Sequence, residues 1–227
     1  MVLQIERFAI QSPSNWPPSG AQPLTFSAGE HLFHEGDDAT CLYEIKDGVV
    51  VLYSTALDGV RQLLGVRFRG DLLGISGGAQ HHCGALAART TRVNRMSRAQ
   101  VDRMIDADPK LARRLLKACG SELLRTREQL TIVGSRSALG RVAALLLDLA
   151  GRDGNGNASV TLPLSRSEMG DYLGLTLETV SRCMSRLKAL NIIALPRSDT
   201  VVILNHSRLS DLASGIDEGA ARGRMVA

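Results

Sequence analysis

The chain has 227 residues, 44% of them hydrophobic and 22% charged, with a formal net charge of +4; that length suggests about two domains. Its longest apolar runs, such as 142–147, are too short to span a bilayer. The start has neither the basic residues nor the unbroken apolar stretch of a secretory signal, because Glu6, Arg7 and the prolines of 13–18 interrupt it, so a cytoplasmic protein without a membrane partner is expected.

Residues 1–22 are rich in Ser, Pro, Gly and Gln and read as an irregular lead-in. From 24 to 93 short β-type runs (24–26, 31–33, 41–46, 49–54, 61–68 and 85–93) alternate with turn residues such as Asp47-Gly48, Asp58-Gly59 and Gly70-Asp71. Asp-Gly between β-branched or aromatic runs signals a hairpin, and closely spaced strands of this kind imply a small sandwich or barrel. The period then changes. Ser97 is placed to cap a helix over 98–105, and Asp108-Pro109 starts a second helix, with Asp as N-cap and Pro at the first helical position. That helix runs to about Val133. Its residues Leu116, Cys119, Leu123, Thr126, Leu130 and Val133 are spaced 3, 4, 3, 4, 3, which is either a coiled-coil seam for a second copy or a face lying on the domain's own core. Residues 98–136 carry nine basic and five acidic side chains, the most basic balance in the chain.

Gly134-Ser135-Arg136-Ser137 reads as a hinge, with Ser137 capping a helix through about Ala150. A polar loop at 151–157 and a strand-like 160–164 lead into Leu164-Ser165-Arg166-Ser167-Glu168-Met169-Gly170-Asp171-Tyr172-Leu173-Gly174-Leu175-Thr176-Leu177-Glu178-Thr179-Val180-Ser181-Arg182. This stretch reads as helix, tight turn at Gly174, helix. A hairpin of 192–195 and 200–204 around Pro196-Arg197-Ser198-Asp199 reads as a wing, followed by a short helix over 206–212 and a glycine-rich tail from Gly215.

With Thr176 as N-cap, Glu178 and Arg182 are four apart and share a face, Ser181 lies beside Arg182, and Val180, Met184 and Leu187 fall on the opposite face. An ionised Glu accepts from cytosine N4, and Arg donates two bonds to guanine O6 and N7, each such contact contributing on the order of 1–3 kcal/mol of discrimination. The competing reading is a solvated i,i+4 ion pair contributing about 0.3–0.5 kcal/mol; the preceding helix-turn and the following wing favour base reading. Ser165, Arg166, Thr176, Thr179, Arg186 and Arg197 are candidates for phosphate contacts, which position a protein without reading sequence. For Ser165, Arg166 and Arg197 an idle surface role is open too.

Cys41, Cys83, Cys119 and Cys183 are separated by 42, 36 and 64 residues and match no zinc or iron–sulfur spacing, so no metal or cofactor is expected. Cys183 follows Arg182 directly. Its oxidation would place bulk or charge beside the DNA, with Arg182, Arg186 and Lys188 favouring the thiolate, or else it is a small residue tucked against the helix pair. Cys119 is a buried thiol or an intersubunit disulfide. His81-His82-Cys83 as a haem or metal site is disfavoured if the three lie on a strand, where neighbours point to opposite faces. The sequence contains no Ser-His-Asp arrangement, paired-carboxylate site or phosphate-gripping glycine loop with its Lys. Ser76, between glycines, lacks the strand-to-helix context of a nucleophile elbow. An enzyme is not expected, and a winged helix-turn-helix argues against a ligand sensor that never touches DNA.

On these residues the chain resembles the Crp/Fnr family of bacterial transcription regulators over nearly its whole length. Ala28-Gly29-Glu30, Glu35-Gly36-Asp37-Asp38-Ala39, Leu42-Tyr43-Glu44-Ile45, Gly48-Val49-Val50-Val51-Leu52-Tyr53 and Phe68-Arg69-Gly70-Asp71-Leu72-Leu73-Gly74 look like the family's cyclic-nucleotide-type β-roll. Leu177-Glu178-Thr179-Val180-Ser181-Arg182 is similar to the recognition helix of the Fnr/FixK-like branch, in contrast to the Crp version, which has Gly in the place of Ser181. The resemblance implies an α+β chain in three parts: a β-roll (1–97), a short helix and dimerisation helix (98–136), and a winged helix-turn-helix (137–227). It implies a homodimer that binds double-stranded DNA at palindromic TTGA-type half-sites, read by Glu178, Ser181 and Arg182, with RNA polymerase as a further partner, in low-oxygen or nitrogen-related gene control. Cyclic-AMP binders place a Glu where Ile75 stands and an Arg-Ser pair near His82-Cys83, and Fnr has clustered N-terminal cysteines where this chain has none before Cys41. The departures point away from both effectors and toward the FixK branch. The alternative within the family is a gas or redox sensor that needs haem or a small ligand before it binds DNA.

Overall fold

The computed structural model describes residues 20–56, 59, 61–135, 137–152 and 159–215, with side chains omitted for 114, 121, 122, 125, 128–135 and 152. Most of the lead-in, Asp58, Arg136, most of the 151–157 loop and the tail beyond Gly215 lie outside the described residues. The chain divides into two compact units, with the boundary between Arg125 and Thr126.

The first unit holds eight strands: β1 (Gln22–Phe26), β2 (His31–Phe33), β3 (Cys41–Asp47), β4 (Val50–Thr55), β5 (Arg61–Arg67), β6 (Leu72–Leu73), β7 (Gly84–Ala87) and β8 (Thr91–Ser97). They form two four-stranded antiparallel sheets in the orders β1-β8-β3-β6 and β2-β7-β4-β5. Alternation puts Tyr43, Ile45, Leu73 and Val93 of one sheet against Phe33, Val50, Ala85 and Ala87 of the other, in one buried core.

One expected strand is in fact two. The run 85–93 contains no glycine or proline, yet the chain leaves one sheet after Ala87 and enters the other at Thr91. A side chain fixes this corner: the fully buried Thr91 hydroxyl donates to the Arg89 carbonyl at 2.7 Å and accepts from the Val49 N–H at 3.1 Å. Gly48 completes it, at φ +102° with Thr91 packed where a Cβ would stand.

Ser97 caps α1 (Arg98–Ala107) through a reciprocal box with Gln100. Asp108 closes α1 and starts α2 (Pro109–Ser135), accepting the Lys110 N–H at 3.0 Å. Val101, Leu111, Ala118 and the half-buried Leu115 turn inward, and Val101 and Leu115 join Leu42 and Met96 in a second apolar cluster. The expected hinge is narrower than read, because Gly134 and Ser135 still belong to α2; a glycine in a helix costs only about 1 kcal/mol against alanine.

The second unit holds α3 (Ala138–Arg152), β9 (Ser159–Thr161), α4 (Arg166–Leu173), α5 (Leu177–Ala189), β10 (Ile193–Arg197), β11 (Thr200–Ile203) and α6 (His206–Ser214). Ser137 caps α3, accepting the Gly140 N–H at 3.1 Å. Its core is Val142, Leu146, Leu149, Met169, Leu173, Val180, Met184, Leu187, Ile192 and Leu209, all at most 2% exposed. Burying each of the larger side chains contributes about 1.5–3 kcal/mol. The expected two-stranded wing is a three-stranded sheet, order β10-β11-β9, because β9 pairs with β11. Pro196 and Arg197, expected in the turn, end β10 beyond a register shift. Pro is tolerated there because β10 is an edge strand.

Candidate nucleic-acid interface

The helix-turn-helix is assembled from short-range chemistry. Ser165 accepts the Glu168 N–H at 3.3 Å and Glu168 accepts the Ser165 N–H at 2.7 Å, which fixes the start of α4. At its other end Gly174 adopts φ +63°, the left-handed conformation that closes a helix at least cost in glycine. Arg141 of α3 donates to the Leu173 carbonyl at 3.1 Å. The turn folds back so tightly that a Cβ on Gly170 would stand 2.6 Å from the Leu175 carbonyl oxygen. Thr176 then caps α5, accepting the Thr179 N–H at 3.2 Å.

α5 has two faces, as its spacing implied. Val180, Cys183, Met184 and Leu187 are buried, while Glu178, Arg182, Ser185 and Arg186 are exposed and Ser181 and Thr179 are half-buried. Glu178 and Arg182 do not form an ion pair among the described residues; the Arg182 guanidinium instead donates to the Thr179 hydroxyl at 3.3 Å. The Glu178 carboxyl is held below its ordinary pKa by its own backbone N–H first, then by the Thr176 hydroxyl, with Arg182 adding to the effect. It is therefore an ionised acceptor in the first turn of a helix, where the dipole also favours negative charge. Leu177 was not singled out from the sequence, yet it is 46% exposed on this outward face. The spacing hides it, since Leu177, Val180, Met184 and Leu187 follow one another at 3, 4 and 3 residues, and Leu177 is exposed as the first residue of α5.

The other candidates fall as follows. Ser165, Thr176 and Arg197 are exposed, whereas Arg166 is half-buried and donates to the Ser198 carbonyl at 3.2 Å. Cys183, for which a cation-favoured thiolate and a residue tucked against the helix pair were both open, is buried, and burial pushes its thiol up, with Arg186 and Arg182 only partly offsetting this. Along α2, Leu116, Cys119, Leu123 and Thr126 are exposed, Leu116 at 73% and Leu123 at 53%, while Leu111, Leu115 and Ala118 face the core. This stripe is thus distinct from the face that packs on its own unit. The side chains of Leu130 and Val133 lie outside the described residues.

The β-roll does not fit a cyclic nucleotide. Ile75, 42% exposed, offers hydrocarbon where a ribose hydroxyl needs an acceptor. The loop after it is bonded to the protein itself: Arg98 donates to the Ser76 carbonyl at 2.9 Å, and the Ser76 hydroxyl donates to the Gln80 carbonyl at 2.8 Å. The neighbour of His82, His81, is buried and stacked on Phe33 with ring centroids 3.8 Å apart, and burial, then Arg98, lowers its pKa. His81-His82-Cys83 lie in the turn before β7 and not on a strand; His81 is buried and His82 exposed. No group of three His, Cys, Asp or Glu among the described residues could hold a metal ion, and no described helix is long and apolar enough to cross a membrane.

Comparison with known proteins agrees with this geometry. Residues 140–212 match the Crp-like helix-turn-helix domain and residues 23–108 the cyclic nucleotide-binding domain. The nitrogen fixation regulation protein FixK of Bradyrhizobium diazoefficiens is 36% identical over 192 residues, covering 83% of this chain and 81% of that protein. The transcriptional activator protein FnrL of Cereibacter sphaeroides is 32% identical, covering 86% and 82%. The structure of FixK2 from Bradyrhizobium japonicum superimposes with a TM-score of 0.80 at 32% identity, covering 85% of this chain and 96% of that one. A β-roll, a long helix and a winged helix-turn-helix, matched in sequence and in structure to such regulators, carry one conclusion: the chain belongs to the Crp/Fnr family of DNA-binding transcription regulators, not to the enzymes.

Proposed function

We propose that this regulator acts as a homodimer on palindromic DNA with TTGA-type half-sites. The observation that carries the reading is the outward face of α5, where Glu178, Ser181 and Arg182 stand over a fully buried Val180–Met184–Leu187 stripe. Arg182 donates to guanine O6 and N7, Glu178 accepts from cytosine N4, the Ser181 hydroxyl bonds a neighbouring base edge, and Leu177 packs on a thymine methyl. Ser165, Thr176, Thr179, Arg186 and Arg197 contact phosphates, setting register without reading sequence. The exposed seam of Leu116, Cys119, Leu123 and Thr126, continued by Leu130 and Val133, pairs with its twin, so that two α5 helices enter successive major grooves about 34 Å apart. Residues 1–97 then form the sensor-type part, 98–136 the dimerising part and 137–227 the reader. The FixK and FnrL relatives support a cytoplasmic role in low-oxygen or nitrogen-related gene control, with RNA polymerase as the partner through which binding becomes transcription. The misfit of Ile75 to a ribose hydroxyl supports activity without a cyclic nucleotide.

Selection of bound sequences from random DNA, with wild type, Glu178→Ala and Arg182→Ala, tests the assignment. Wild type enriches inverted TTGA half-sites, Glu178→Ala relaxes the choice at one position, and Arg182→Ala weakens specific binding about 10- to 100-fold. Both variants binding the TTGA palindrome as wild type does would overturn it.

A further inference from the structure

Arg166 is the first residue of α4, where a positive charge opposes the helix dipole. Its position is therefore electrostatically unfavourable unless its side chain returns something. The half-buried guanidinium is bonded within the domain. Nη2 donates to the Ser198 carbonyl at 3.2 Å, 32 residues away, and Nη1 lies 3.3 Å from the sulfur of Met169, which is fully buried. Ser198 is in the turn between β10 and β11, next to the exposed Arg197. The same turn is held from its other side, where the Leu162 N–H donates to the Asp199 carbonyl at 2.6 Å. The register shift of β10 falls between Ala194 and Arg197, just before this turn, so that Arg197, paired with Thr200, is held to β11 by a single pair beyond the shift.

We infer that Arg166 is a positioning residue that anchors the wing tip to the head of α4, and that it acts on DNA through Arg197 rather than by touching a phosphate itself. The inference rests on the reading of α5 and the wing as the DNA-binding surface. Two donors already committed inside the domain leave Arg166 poorly placed to follow a backbone, whereas one carbonyl held at the tip restricts the turn that carries Arg197. Arg166 thus couples the helix that supports the reader to the wing beside it.

A double-mutant cycle on the full chain tests this, using Arg166→Gln, Arg197→Ala and the pair. Affinity and its salt slope are measured on a TTGA palindrome and on an unrelated duplex at low salt. Each single variant, present in both protomers, is expected to lose about tenfold and about two units of salt slope, with the pair no worse than either alone. Losses that multiply, with a slope lowered by about four, would make Arg166 a phosphate contact of its own and overturn the inference. So would an Arg166→Gln or Arg197→Ala variant that binds like wild type. In DNA-free protein the Leu162 amide is expected to exchange about tenfold faster in Arg166→Gln, since local opening controls exchange; unchanged exchange also overturns the inference. If Arg166→Gln melts too early to be compared, Arg166→Met, which keeps the stem over Met169, takes its place in the same cycle. A wild type that does not prefer the palindrome refutes the half-site reading alone, because the comparison on the unrelated duplex is unaffected.

Discussion

At the scale of single residues, the helix-turn-helix depends on backbone positions as much as on its outward side chains. Gly170 is the sharpest case, since α4 and the turn approach so closely that a methyl group would press on the Leu175 carbonyl. Gly170→Ala is expected to lower stability by about 1–3 kcal/mol, the usual cost of overpacking, and denaturant titration would read it; an unchanged midpoint would mean that the turn yields without strain. Glu178 illustrates a different economy. Its carboxyl is held below its ordinary pKa first by its own backbone N–H and the Thr176 hydroxyl, with Arg182 adding less, and no ion pair ties it to Arg182 among the described residues. Cys183, one residue on, is sealed beneath the helix and loses the thiolate character that its basic neighbours would otherwise confer.

Among the elements, α2 divides its surface between two tasks. Leu111, Leu115 and Ala118 belong to the core of the first unit, and Leu116, Cys119 and Leu123 are exposed. Large apolar side chains left in water along a helical stripe mark a surface meant to be covered. Leu123→Lys is expected to convert the dimer to a monomer in sedimentation, without loss of the fold by circular dichroism. It should weaken binding to a palindrome by about 10²- to 10⁴-fold, the advantage of holding two readers together. A Leu123→Lys protein that still sediments as a dimer would place the interface elsewhere. The wing shows a similar division: β9 completes a three-stranded sheet, and the edge strand β10 carries Pro196 and Arg197 out to the tip.

For the molecule as a whole, the β-roll keeps the architecture of a cyclic nucleotide-binding domain while the exposed Ile75 stands where a ribose hydroxyl would need an acceptor. Arg98 holds the loop that Ile75 begins, and His81 is committed to Phe33. Binding to the native state raises stability by about 2.7 kcal/mol at a hundredfold excess over Kd, so a real ligand announces itself in a melting curve. Cyclic AMP at millimolar concentration is expected to leave both Tm and DNA affinity unchanged; a rise of several degrees would show that the site accepts the nucleotide after all.

Much of this is legible in the amino-acid sequence. Periodicity and caps located the helices of both units, because Ser97, Asp108, Ser137, Ser165 and Thr176 act on N–H groups two or three residues away. The spacing of Glu178, Ser181 and Arg182 against Val180, Met184 and Leu187 likewise follows from 3.6 residues per turn. What the sequence did not reveal depends on contacts between distant segments. The sheet change at 88–90 rests on Thr91 meeting Val49, the third wing strand on β9 meeting β11, and the role of Arg166 on a carbonyl 32 residues further along. A local pattern records which face of an element is apolar; only the packed chain decides which element meets that face, and therefore which donors and acceptors are already satisfied and which are left to bind.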